Sequence, residues 1–117
     1  MSGARAQTNP VVAAGSYLRC CLLLLIAESP SYGYDLVERL CDLGLANVDS
    51  AAVYRALRAL DQDGLAECWW EESGSGPVRR LYRISDAGLG SLEGWAATVG
   101  DSASYLNAFV ARHRRLA

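Results

Sequence analysis

Residues 49–84 read DSAAVYRALRALDQDGLAECWWEESGSGPVRRLYRI, and the changes of pattern within this stretch decide the fold. Up to Gln62, the apolar residues Val53, Leu57 and Leu60 recur at i, i+4 and i+7, the repeat of one helix face. Asp49 is a natural cap for that helix and Gly64 a stop. The opposite face carries Ala51, Tyr54, Arg55, Arg58 and Gln62. Residues 65–71 and 78–84 then read as two strands, joined by the glycine- and proline-containing turn of residues 72–77.

Upstream, Tyr17, Leu18, Cys21, Leu22, Leu25 and Ile26 keep helical spacing, and Leu23 and Leu24 fill the other side. The spacing predicts a helix buried nearly all round. Ser29-Pro30-Ser31 breaks it; Ser31 is expected to cap a second helix, with Asp35 in its first turn. That helix should run to about Leu43, bury Leu36, Val37 and Leu40, and stop at Gly44. Residues 1–15 read as a loose arm. Downstream, Ser85 and Asp86 open a last helix over 86–117, with Leu92, Trp95, Val99, Leu106, Phe109 and Val110 along one stripe and a weak point at Gly100. Arg112 to Arg115 complement its C-terminal dipole.

A chain of 117 residues, 51% hydrophobic, suits one compact domain with an element that finds its core in a partner. The net charge is −2 at a pI near 5.3, yet it is segregated. Residues 50–60 hold Arg55 and Arg58 and residues 73–85 hold Arg79, Arg80 and Arg83, with no acid in either window. A local basic patch, unlike bulk charge, describes a footprint on phosphate. The most apolar run, Cys20 to Ala27, is too short to span a membrane, and no secretory pattern precedes it, so a cytoplasmic protein is expected.

Cys20, Cys21, Cys41 and Cys68 lack C-x-x-C spacing, and His113 is the single histidine, so no metal site is expected. Reduced thiols packed as small hydrophobes are one reading; redox sensing by the adjacent Cys20 and Cys21 is the other. No catalytic residue or cofactor is expected either. One histidine cannot build a triad, and Gly74 and Gly76 lack the strand-to-helix setting of a phosphate loop.

Three helices followed by a hairpin with a basic second strand is the order of a winged helix-turn-helix, a mainly α fold with a small β hairpin. The third helix is expected to enter a DNA major groove, where arginine can pair with guanine edges or grip phosphate. The wing supplies charge through Arg79 and Arg80. A winged helix that binds protein without specific DNA contact is the alternative, but it has no reason to clear acids from both elements.

Leu22 to Glu28, Ser31-Tyr32-Gly33-Tyr34-Asp35-Leu36, Val53 to Leu60, Asp63-Gly64-Leu65, Gly76 to Ser85 and Ala87-Gly88 together resemble the PadR family of bacterial transcriptional regulators, over roughly residues 18–95. The resemblance implies a winged helix-turn-helix over 16–85 and a C-terminal dimerisation helix over 86–117, the short form of the family. It further implies a homodimeric repressor on a palindromic double-stranded operator, released by a small molecule or another signal. Tyr32, Tyr34, Ser50, Tyr54, Arg55, Arg58, Arg79 and Arg80 are then the expected DNA-binding residues. Leu92, Leu106, Phe109 and Val110 are expected at the dimer interface. Trp95 and Val99 either line a site for a small aromatic effector between protomers or simply fill core. Asp49-Ser50-Ala51-Ala52 departs from the family's serine-proline-glycine-threonine, which removes a threonine hydroxyl and brings a carboxylate toward DNA.

Overall fold

The structure is a computed structural model and describes residues 15–71 and 79–116. The expected arm therefore lies almost wholly outside the described residues, as does the turn with Gly74, Gly76 and Pro77. The elements are α1 (Gly15–Glu28), β1 (Ser31–Tyr32), α2 (Gly33–Arg39), a 3-10 turn (Leu40–Leu43), α3 (Ser50–Gln62), β2 (Ala66–Glu71), β3 (Arg79–Ile84) and α4 (Asp86–Arg114).

The core is built around α1. Leu22, Leu23 and Ile26 are fully buried against Leu36 and Leu40 of the second helical segment and Val53, Leu57 and Leu60 of α3. Leu24 corrects the expectation of all-round burial, because it is 37% exposed. Apolar composition alone does not say which side a neighbour covers. The thiols also divide: Cys20 and Cys21 are buried, whereas Cys41 is exposed and Cys68 half-buried. Burial pushes the Cys20 and Cys21 thiols up, away from the reactive thiolate.

Ser31 does not cap α2. It pairs with Tyr82 in a short strand, so the sheet has three antiparallel strands in the order β1-β3-β2. Its hydroxyl donates to the Ser29 carbonyl and accepts from Arg39, 2.8 Å each. Tyr32 stands at the cap position without a side-chain capping bond. Sheet pairing uses the backbone that a cap would have left free, and a two-residue strand has no periodicity of its own to read. The second helix tightens into the 3-10 turn and ends at Gly44, whose φ of 90° suits glycine. Asp49 does cap α3, its carboxylate accepting from the Ala51 N–H at 3.2 Å.

Ser85 docks α4. Its hydroxyl donates to the Gly64 carbonyl at 2.6 Å and accepts from the Gly88 N–H at 3.0 Å. Gly88 is buried so tightly that a Cβ would stand 2.0 Å from the Leu65 carbonyl oxygen. From there α4 runs 29 residues without interruption, through Gly100, the expected weak point. One glycine costs only about 1 kcal/mol, less than renucleating a second helix. No described helix is long and apolar enough to cross a membrane.

Candidate nucleic-acid interface

β1 delivers the chain directly into α2, so Tyr32 and Tyr34 flank Gly33 at the helix start. Their rings stack at 5.8 Å between centroids, 8° from parallel. The Arg79 guanidinium, from β3, lies 5.4 Å from the Tyr32 ring and 5.6 Å from that of Tyr34. It also donates a 2.6 Å hydrogen bond to the Tyr34 hydroxyl. Behind this stack the Tyr32 hydroxyl donates to the Glu71 carboxylate, and that bond raises the Tyr32 pKa. One carboxylate of the wing is thereby occupied by a tyrosine.

Gly33 lets α3 come close. A Cβ there would meet Tyr54 Cε1 at 2.5 Å, so Tyr54 lies over the start of α2. Between α3 and the wing is an open recess of about 380 Å³. Tyr54 and Arg58 line it from α3, Tyr32, Gly33 and Tyr34 from the α2 start, and Trp70, Arg79, Arg80 and Tyr82 from the sheet. Among the described residues three arginines and no carboxylate line this space. Six of the eight sequence-predicted DNA-binding residues thus meet in one place.

The other two stand apart. Ser50 is exposed at the first turn of α3. Arg55 faces a shallower groove of about 490 Å³ on the other side of α3, with Ser16, Leu18 and Arg19 of α1, Ala56 and Ala59 of α3, and Trp95 of α4. Trp95 is therefore half-buried beside α3 of its own chain. Val99, 41% exposed, does not line that groove. Leu92 packs on the core of its own chain, while Leu106, Phe109 and Val110 stand in solvent.

Trp70 was not among the expected site residues, and its place there follows from strand register. Adjacent strand residues face opposite sides, and a hairpin pairing Ala66 with Ile84 sets Trp70 opposite Arg80. Neither Trp69 nor Trp70 packs inward. Each lies under an arginine, Arg83 and Arg80 respectively, at 4.8 Å. Arg83 is paired with Glu67 at 2.8 Å. Among the described residues Arg55, Arg58, Arg79 and Arg80 have no ion pair, the three pairs present being those of Arg19 with Asp63, Arg39 with Glu28 and Arg83 with Glu67. No group of metal-ligating side chains occurs among the described residues.

The family model of the PadR-like transcriptional regulators matches residues 22–93, more than half of the chain. A PadR-like transcriptional regulator from Bacillus cereus is 29% identical, with a TM-score of 0.72 over 81% of this chain and 92% of its own. A PadR family regulator from Eggerthella lenta is 28% identical, with a TM-score of 0.68 over 86% of this chain and 88% of its own. A transcriptional regulator from Clostridium thermocellum shares the fold at 22% identity, with a TM-score of 0.74 over 90% of this chain and 99% of its own. No curated protein matches the chain. With its three-helix core, its wing and the matched segment in agreement, the chain belongs to the PadR-like family of transcriptional regulators, a family of regulators and not of enzymes.

Proposed function

We propose that the chain binds double-stranded DNA as a homodimer and represses transcription from a palindromic operator. The observation that carries this reading is the recess between α3 and the wing, with Arg58, Arg79 and Arg80 and no carboxylate among its described lining residues. In this reading residues 16–85 are the DNA-binding unit, and α3 enters the major groove with its Tyr54, Arg55 and Arg58 face. Arg79 and Arg80 grip phosphate beside it, and Ser50 and the paired tyrosines address the backbone. Repression rests on the family resemblance, and the place of action is the cytoplasm.

Residues 86–117 are the dimerisation element. Leu106, Phe109 and Val110 share the end of α4 with Tyr105, 77% exposed, and Leu116, 83% exposed, follows just beyond it. A soluble monomer rarely leaves so contiguous an apolar strip uncovered. Two-fold pairing of such helices would set two recognition helices about 34 Å apart, one turn of DNA. A small aromatic effector is proposed at Trp95, whose groove reaches Arg55 on the recognition helix.

The test is selection of bound fragments from genomic DNA with the full chain, followed by Arg55→Ala and Arg58→Ala. Each substitution is expected to weaken specific binding by about 1–3 kcal/mol. Unchanged operator binding in both variants overturns the role of α3. Absence of any retained fragment, together with a captured protein partner, favours the protein-binding alternative.

A further inference from the structure

The wing carries the same aromatic–arginine pair on both of its faces, but the two pairs differ electrically. On the outer face Arg83 covers Trp69 at 4.8 Å, and Glu67 neutralises that arginine at 2.8 Å. On the face toward α3, Arg80 covers Trp70 at the same distance without a carboxylate partner among the described residues. The neighbouring Tyr82 hydroxyl raises the Arg80 pKa, so the guanidinium stays charged as an arginine ordinarily does. Trp70 stays 61% exposed and lines the recess opposite Tyr54 and Arg58. An indole left in water costs free energy, and a guanidinium with no ion pair among the described residues is free to meet an anion. One kind of surface suits both, a sugar–phosphate backbone, which offers apolar deoxyribose edges beside anionic oxygens.

We propose that Trp70 and Arg80 form a composite DNA-contacting unit of the wing. The ring packs on deoxyribose, and at the same time it positions the Arg80 guanidinium for the adjoining phosphate. This rests on the DNA-binding reading above and adds a contact residue to it. Arg80 supplies a salt-sensitive contact and Trp70 a salt-insensitive one.

The test uses the full chain and a fragment retained in the genomic selection. Trp70→Ala is expected to weaken binding about tenfold, and Trp70→Phe, which keeps an aromatic platform, by less than about threefold. Trp69→Ala, on the neutral outer face, should stay within about threefold. In the Trp70→Ala background, Arg80→Ala should cost less than about twofold, because its platform is already gone. With Trp69 and Trp95 changed to Phe, the emission of Trp70 should be altered by the operator fragment, a readout that does not depend on a foldable alanine variant. Parent-like binding by Trp70→Ala, independent multiplication of the two losses, equal losses at Trp69 and Trp70, or an unchanged Trp70 emission overturns the proposal. If the parent retains no DNA at all, the DNA-binding reading falls and this inference falls with it.

Discussion

The Tyr34 hydroxyl at the start of α2 accepts a 2.6 Å hydrogen bond from the Arg79 guanidinium of β3, joining the wing to the helix-turn-helix across 45 residues of sequence. With the Tyr32 ring stacked beneath Tyr34, the arginine has a fixed place before any ligand arrives. Preorganisation of this kind lowers the ordering cost of binding. Tyr34→Phe is therefore expected to weaken DNA binding by about 0.5–1.5 kcal/mol while leaving the thermal midpoint within a few degrees. Arg79→Ala should weaken all sequences alike and flatten the salt dependence by about one phosphate contact. Titrations at two salt concentrations with the two single variants and the double variant check this. Additive losses would show that the tyrosine does not act through Arg79.

Two glycines separate function from stability. Gly33→Ala puts a methyl group 2.5 Å from the Tyr54 ring edge, the end of a partly exposed side chain that can swing away. Gly88→Ala puts one 2.0 Å from the Leu65 carbonyl, which is backbone and cannot yield cheaply. Gly33→Ala should fold but lose operator affinity. Gly88→Ala should lose about 3 kcal/mol or more of stability, or fail to fold. Urea unfolding and DNA titration of both variants test the contrast, and equal destabilisation of the two would contradict it.

Alkaline pH should destabilise the fold through Tyr17. Its hydroxyl donates to the Leu43 carbonyl at 2.8 Å, and burial, with the Cys21 thiol beside it, pushes its pKa to about 12. The folded state then holds a proton that the unfolded chain releases near pH 10. Stability is complete below pH 10 and falls as pH rises toward 12, by up to about 2 kcal/mol. The raised Cys20 and Cys21 thiols act in the same direction from about pH 9. Urea midpoints between pH 7 and 11 measure the fall, and Tyr17→Phe should make it shallower. A stability that does not change with pH would remove the tyrosine from the account.

Phe109 is 71% exposed on the last turns of α4. If it meets a partner helix, Phe109→Asp should shift the chain toward monomer in sedimentation at micromolar concentration. Truncation after Gly100 should give monomer or insoluble protein. Each side chain buried at such an interface contributes about 1.5–3 kcal/mol. A well-folded monomer of the intact chain would rule the dimer out.

Trp95 bears on the proposed effector. Planar aromatic compounds should quench its fluorescence and release DNA, and Trp95→Leu should abolish the release. If the variant loses only thermal stability and no compound affects the parent, Trp95 is simply a partly buried packing residue.

The helices, the hairpin and the α3 cap were legible in sequence, because each is set by local periodicity and by residues such as Asp49, Gly44 and Gly64 acting within a few positions. The two acid-free windows likewise pointed to the elements that converge on the recess, since charge along α3 and β3 can be counted without coordinates. What only the tertiary structure decided was how those elements meet. The two-residue β1 exists because β3 lies beside it, and nothing in Ser31-Tyr32 taken alone distinguishes a strand from a cap. Arg55 and Arg58 are three residues apart on one helix, yet α1 and α4 draw the first to the Trp95 groove while the wing draws the second to the basic recess. Trp69 and Trp70 are adjacent, and only cross-strand pairing shows that one stands by an arginine paired with Glu67 and the other by an arginine with no ion pair among the described residues. Pattern is a property of one segment, whereas contact is a property of two, and the second segment is supplied by the fold.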